Sequence, residues 1–318
     1  MINIVYLTIG ILLLVKGADY FVDGSSSIAL HFKISTLIIG LTIVAFGTGL
    51  PELAVSFSSM LADSGELVLS NVIGSNIVNV LFILGICSVI HPITVEKTTV
   101  KRELPLLLVA TAVLFIILGK HYYVPTLSSD LTKIDGAILL LFFLVFIYFL
   151  YLMLKGSHDS FFKKKNIEKF GMGISILYVV LGAFGIIIGS NLVVRGATNI
   201  ARIFNISERI IGLTIVALGT GLPELVTSIN AVRKGNYGLV IGNIVGSNIF
   251  NVSAVLGLSV LLFGTIEGFQ ITVLDLVTFL ISSVMLYYFS LNNNKLDRNE
   301  GVMFIFLFVL YYSFILFG

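Results

Sequence analysis

Charge is the first thing this 318-residue chain lacks. Lys, Arg, Asp and Glu make up 11% of it, against about 25% in an ordinary soluble domain. A soluble protein of this size could not cover its surface with so little charge. That excludes a cytosolic enzyme, a nucleic-acid binder and a disordered chain. Tryptophan is absent, so tyrosine must supply any aromatic belt at a membrane interface. The pairs Tyr122–Tyr123, Tyr287–Tyr288 and Tyr311–Tyr312 sit near the ends of apolar runs, as that role requires. A single cysteine, Cys87, excludes an internal disulfide and a cysteine-based metal cluster. Set in LFILGICSVI, it reads as a small core residue. The net charge of +2 points to no particular partner.

What is present is apolar: 57% of residues. A membrane-crossing helix needs roughly 20 apolar residues, and with about ten more for each connection the chain has room for about ten. Spans are expected near 2–31, 34–60, 67–90, 103–119, 134–154, 171–202, 207–231, 238–264, 270–291 and 300–317. The N-terminus has no basic region and no small-residue cleavage site, so it reads as a retained span. The runs are apolar on both sides and too long for barrel strands, which alternate over about ten residues. The expected fold class is therefore an all-α membrane protein with ten transmembrane helices.

An internal repeat organises them. KISTLIIGLTIVAFGTGLPEL begins at Lys33 and NISERIIGLTIVALGTGLPEL at Asn205, while NVIGSNIVNV begins at Asn71 and NIVGSNIFNV at Asn243. The offset is 172 throughout. A period this long marks a duplicated domain rather than a solenoid. Each half holds five spans, and an odd number sends the second half in from the opposite side, giving two inverted five-helix repeats. The expected division is 1–155, a linker over 156–170, and 171–318. Transporters built this way place their substrate near the midplane, between the repeats, on interrupted helices.

Basic residues set the orientation. Lys33, Lys97, Lys101, Arg102, Lys155, Lys163, Lys164, Lys165, Lys169, Arg233, Lys234, Lys295 and Arg298 follow the odd-numbered spans, against Lys120, Lys133, Arg202 and Arg209 on the other face. The first set is expected in the cytoplasm, with both termini outside a multi-pass protein of the cell membrane.

Two acids lie deep inside apolar spans, Glu52 and Glu224. A carboxylate there costs several kcal/mol unless it is paired, protonated or bound to a cation. Each follows Gly-Thr-Gly-Leu-Pro, at 47–51 and 219–223. Proline removes a backbone N–H and glycine lets the chain leave helical geometry. The helices should break there and free carbonyl oxygens such as those of Ala45 and Ala217. Non-helical backbone at this depth is tolerated where it lines a cavity. Two carboxylates, the hydroxyls of Thr48 and Thr220 and these carbonyls form an all-oxygen set, to which Asn79, Asn251, Ser75 and Ser247 add neutral oxygens. Hard cations such as Ca²⁺ take six to eight oxygens at about 2.3–2.6 Å, and two carboxylates balance one divalent ion. His31, His91, His121 and His158 are far apart in sequence and do not suggest a soft-metal site. Gly40, Gly74, Gly212 and Gly246 read as helix-packing residues. Lys16, Asp19, Asp23 and Arg195 read as snorkelling or pairing residues rather than substrate ligands.

The duplicated GTGLPEL and GSNI(V/F)N segments, one set per half, resemble the α-repeats of the calcium/cation antiporter superfamily, above all its archaeal and bacterial sodium/calcium exchangers. The resemblance covers the whole chain. It implies exchange of Na⁺ for Ca²⁺ by alternating access, with the first and sixth helices sliding over a fixed core. Its cation ligands correspond to Ala45, Thr48, Glu52, Ser75 and Asn79, and to Ala217, Thr220, Glu224, Ser247 and Asn251. Two departures matter. The family usually has serine after the threonine, where this chain has Gly49 and Gly221, so two hydroxyl ligands for sodium are lost. Several members carry Asp at the position of Asn251. No cofactor is implied beyond the transported ions, and the partners expected are Na⁺, Ca²⁺ and the bilayer, with no nucleic acid and no obligate protein. No large calcium-sensing domain interrupts the chain, so regulation must act on the transport core.

The nearest rival is a calcium/proton antiporter, but those branches usually show a GN-type motif ahead of the glutamate. A channel would need weak sites along an open pore, and this pair is concentrated at one depth. An intramembrane hydrolase lacks a nucleophile–base set, so no enzyme is expected.

Overall fold

Long apolar runs without period-two alternation fold as helices, and the computed structural model shows them over residues 2–123, 130–156, 170–204, 217–268, 271–292 and 294–317, which are the residues it describes. In chain order they are α1 Ile2–Phe32, α2 Thr36–Ile39, α3 Ala45–Thr48, α4 Leu50–Leu61, α5 Gly65–Ile77, α6 Gly85–Ile90, α7 Lys97–Lys101, α8 Glu103–Tyr123 and α9 Lys133–Gly156. Then come α10 Met172–Ile203, α11 Ala217–Thr220, α12 Leu222–Arg233, α13 Tyr237–Phe250, α14 Leu256–Phe263, α15 Val273–Leu291 and α16 Arg298–Phe317. Among the described residues, three π-helical segments interrupt the series: Gly40–Val44 between α2 and α3, Val78–Leu84 between α5 and α6, and Asn251–Val255 between α13 and α14. Two short strands, β1 Ile93–Thr94 and β2 Lys295–Leu296, pair antiparallel, and an isolated bridge joins Leu131 to Ile266.

Eight described helical spans are long and apolar enough to cross a membrane, or nine if Thr36–Thr48 and Leu50–Leu61, bent by 41°, count as one. The expected span 207–231 is described only from Ala217, with 205–216 outside the described residues, as is most of the expected linker. The centre is formed by Gly65–Ile90 and Tyr237–Phe263, with 72% and 89% of their most apolar stretches buried. Helices that are apolar all round belong in such a position. Around them α9, α10 and α15 leave Leu141, Leu144, Phe184 and Val284 exposed, an apolar outer surface that water would not tolerate.

α1 and α10 form a tightly joined pair. A methyl at Gly10 would stand 2.9 Å from the Gly189 carbonyl oxygen, one at Gly17 2.9 Å from that of Gly182, and one at Gly24 2.7 Å from that of Ser175. Residue numbers rise along one helix as they fall along the other, so the pair is antiparallel. Elsewhere, residues 172 apart meet directly: Thr111 Oγ1 and Ser283 Oγ lie 3.0 Å apart, and Asn248 Nδ2 donates to the Asn76 carbonyl at 3.3 Å.

Several sequence expectations change in detail. Cys87 is buried as expected. Gly40 and Gly246 are packing residues: a methyl at Gly40 would meet the Leu239 carbonyl at 2.7 Å, and one at Gly246 the Ala45 Cβ at 2.7 Å. At Gly74 no described atom lies within 4 Å of such a methyl, and Gly212 lies outside the described residues. Tyr288 is exposed, but Tyr311 turns inward, because its hydroxyl donates to Asp275 Oδ1 at 2.8 Å. It is a buried tether rather than a belt residue. The side chains of Tyr122 and Tyr123 lie outside the described residues.

Candidate cation site

The first break falls at Gly49, between α3 and α4, and the second at Gly221, between α11 and α12. Pro51 and Pro223 occupy the first turn of the following helix, where a missing N–H does no harm. Their effect is on the turn before. Proline cannot donate to the carbonyl four residues back, which is that of Gly47 or Gly219. In the second break the Gly219 carbonyl accepts from Ser190 Oγ of α10 at 2.8 Å. The residue 172 earlier is Ala18, so the first break has no such donor. The two glycines are not there for unusual backbone angles. Gly49 has φ −82° and Gly221 −84°, both right-handed. The Ala45 carbonyl, expected to be free, accepts the Gly49 N–H at 3.0 Å, because the turn closes before the proline acts. Its second lone pair remains for another donor or a cation.

Both glutamates follow their breaks by one turn or less and are buried: Glu52 is 1% exposed and Glu224 0%. Their carboxylates lie close enough to act on each other electrostatically. Among the described residues, no hydrogen bond of ordinary geometry reaches Glu52 Oε2 or either oxygen of Glu224. Asn251 has neither Oδ1 nor Nδ2 bonded, Asn79 Oδ1 is unbonded, and Ser247 Oγ is unbonded, all of them buried. Ser75 is buried as well. Buried polar groups are normally satisfied, and orphan oxygens of this kind are chemically suited to holding cations. Among the described residues no three His, Cys, Asp or Glu side chains converge, so the fixed negative charge comes from the two glutamates.

Packing brings these groups together. α13 lies on 36–48, α12 lies on the Val78–Leu84 segment, and α4 touches the Asn251–Val255 segment. Asn79 and Asn251 both belong to π-helical segments, a geometry that recurs at functional sites because it widens the turn. Thr48, buried beside the Glu224 carboxylate, donates back to the Val44 carbonyl at the end of the first π segment at 3.0 Å and lies 3.2 Å from Asn243 Oδ1. Asn243 Nδ2 in turn donates to Ser228 Oγ at 3.0 Å, and Asn79 Nδ2 to Asn248 Oδ1 at 2.9 Å. The side chain of Ala217 lies outside the described residues.

The sequence reading missed this supporting network: Asn243, Asn248, Ser228 and Ser190. A signal existed for two of them, since Asn243 and Asn248 stand in the repeated segments at the positions of Asn71 and Asn76. It missed the π segments altogether, because no residue pattern distinguishes them within an apolar run.

The two described histidine side chains have partners of their own. His31 Nε2 lies 2.6 Å from the Phe170 carbonyl and His91 Nδ1 2.8 Å from the Tyr237 hydroxyl. The side chains of His121 and His158 lie outside the described residues.

Comparison with known proteins places the chain in a family. The family described as sodium/calcium exchanger protein matches residues 2–152 and 174–317. Sodium/calcium exchanger MaX1 of Methanosarcina acetivorans is 31% identical over 348 aligned positions, covering 98% of this chain and 99% of that one. A shorter stretch of 81 residues is 43% identical to human sodium/potassium/calcium exchanger 1, covering 26% of this chain and 7% of the human protein. Among solved structures, the sodium-calcium exchanger NCX_Mj superposes with a TM-score of 0.83 at 31% identity, covering 98% of each chain. With its buried glutamate pair, its broken helices and these matches along its length, the chain belongs to the sodium/calcium exchanger family, a family of membrane transporters rather than enzymes.

Proposed function

We propose that this protein exchanges Na⁺ for Ca²⁺ across the cell membrane by alternating access, with Glu52 and Glu224 holding the cations between two inverted five-helix repeats. The observation that supports the site is the pair of buried carboxylates, near enough to act on each other, with orphan oxygens. Ca²⁺ favours such an all-oxygen shell, and two carboxylates balance its charge. Thr48, Thr220, Asn79, Asn251, Ser75, Ser247 and the backbone at Ala45 and Ala217 complete the donors around them. Neither Gly49 nor Gly221 offers a side-chain oxygen, so sodium is held here by fewer hydroxyls than is usual in the family.

The inverted arrangement draws support from three features. The helices that open the two halves, α1 and α10, run antiparallel; residues 172 apart touch at Thr111–Ser283; and the breaks recur at the same offset. The tenth span on this reading is 207–231, the partner of 34–60. The division at 1–155 and 171–318 follows, with the basic linker over 156–170 in the cytoplasm and both termini outside. No cofactor and no obligate protein partner enters the cycle.

The test is Ca²⁺ uptake into liposomes loaded with Na⁺, compared with liposomes carrying only an outward H⁺ gradient. Uptake with the sodium gradient alone is expected. Uptake that follows the proton gradient and ignores sodium would overturn the coupling.

A further inference from the structure

One charged contact ties the α1–α10 pair to the core. Lys234, which caps the C-terminus of α12, places Nζ 2.7 Å from Asp23 Oδ1 and 3.4 Å from Asp19 Oδ1. It also donates to the Asp19 carbonyl at 3.3 Å. Asn230, one turn earlier, donates to Asp19 Oδ1 at 2.7 Å, and Asn236, just beyond, to the buried Ser26 Oγ at 3.1 Å. One side of α1, residues 19, 23 and 26, is thus held by the end of α12. The repeat makes no second copy of this contact. At the offset of 172 the corresponding residues are Asn191 and Arg195 of α10, and Ser58 and Ala62 at the end of α4, a set with no carboxylate.

At the two breaks the pair makes contacts of other kinds: Ser190 Oγ of α10 donates to the Gly219 carbonyl at 2.8 Å, and apolar side chains cover both breaks. Phe21 packs over Gly47, and Val194 over Gly219, at the two breaks. Apolar contacts of this sort are non-directional. An ammonium held at hydrogen-bond distance by two carboxylates is tied to particular atoms, and its flexible stem follows small shifts of α1 but not a separation of the two helices. Beside these bonds lies a cavity of about 300 Å³, walled by Ser26 and Leu30 of α1 and by Thr36, Glu96, Asn236 and Tyr237. Separating α1 from the end of α12 widens it.

We infer that Lys234 is a positioning residue for transport. With Asp19 and Asp23 it forms a one-sided latch that holds the helix pair against the core at the end of α12 and biases the protein towards the state closed there. The role in transport rests on the exchange reading above; the latch itself is a property of the two helices and can be measured without transport.

The experiment places a reporter in the cavity wall, Leu30→Cys, against the buried background of Cys87. Labelling by a hydrophilic maleimide is timed on the full-length protein in detergent, where both faces are accessible. A partly exposed ion pair biases an equilibrium by a few-fold, so Lys234→Met should speed labelling about fivefold. Asp23→Asn, which preserves shape, should act in the same direction. The exchanged pair Asp23→Lys with Lys234→Asp should return the rate towards the wild-type value, which a purely structural role would not do. Equal labelling in wild type, Lys234→Met and Asp23→Asn overturns the latch, and so does an accelerated rate that the exchanged pair fails to lower. Wild-type liposomes that move no Ca²⁺ against Na⁺ would sink the transport reading without altering the labelling result.

Discussion

Restoring serine after each threonine tests whether the two halves of the site are equivalent, and the structure says they are not. Both glycines have right-handed backbone angles, so Gly49→Ser and Gly221→Ser add no backbone strain. Their surroundings differ. A Cβ at Gly49 would stand 3.0 Å from both the Ala45 carbonyl oxygen and Phe250 Cδ1. Phe250 cannot easily yield, because its ring packs on Phe46 at 5.1 Å and Phe143 at 6.0 Å between centroids. Overfilling a packed site costs about 1–3 kcal/mol. A Cβ at Gly221 would meet Val78 Cγ1 at 3.5 Å and Ile83 Cδ1 at 3.9 Å, ordinary contacts. Replacing a glycine whose angles suit any residue gains about 0.4–1 kcal/mol through the unfolded chain. The two variants should therefore differ by about 2 kcal/mol, with Gly221→Ser at least as stable as wild type and Gly49→Ser less stable. Thermal unfolding of the detergent-solubilised proteins ranks them. In liposomes the added hydroxyl of Gly221→Ser should tighten apparent Na⁺ affinity, and a hydrogen-bond-sized gain of about 1 kcal/mol is about fivefold. Equal stability of the two serine variants would refute the packing argument. Unchanged sodium dependence in Gly221→Ser would show that the position only shapes the backbone.

Other consequences follow from the same site. Glu52→Gln and Glu224→Gln each leave a divalent ion half balanced in a low-dielectric setting, so Ca²⁺ exchange in liposomes should fall below detection while yield and unfolding temperature stay near wild type; near-normal flux in either variant removes that residue from the mechanism. A protease site within 160–168 should be cut only from the cytoplasmic side and tags on both termini only from outside, and cytoplasmic termini would overturn the orientation. Because Asn251 is neutral, exchange should need no K⁺, and Asn251→Asp is the variant in which potassium dependence is expected to emerge. Strict K⁺ dependence of the wild type refutes this, and it is a pointed test given the stretch shared with a sodium/potassium/calcium exchanger. If three Na⁺ move for each Ca²⁺, flux should respond to a clamped potential worth about 2.3 kcal/mol per 100 mV, and insensitivity would exclude that stoichiometry.

Much of this protein could be read from sequence because the information is local. The apolar runs set the helices. The 172-residue offset revealed the duplication, and Gly-Thr-Gly-Leu-Pro-Glu located both breaks with an acid beside each. In every case the physical cause lies within a few residues: a missing N–H, a buried charge, a length sufficient to cross a bilayer. Other features arise only from residues brought together across the chain. That Gly49 faces Phe250 while Gly221 faces open contacts depends on how α13 crosses the first break. That the Gly219 carbonyl is capped by Ser190 while its counterpart has Ala18 depends on how α10 crosses the second. Tyr311 turns inward because Asp275 waits there, not because of its own neighbours. The wide π turns that carry Asn79 and Asn251 leave no trace in hydropathy, since the same apolar residues suit an α-helix equally well. Lys234 looked like one more cytoplasmic lysine until tertiary packing set it between Asp19 and Asp23. A helix fixes its own residues in relation to one another, but which residue of another helix lies opposite is decided by packing alone.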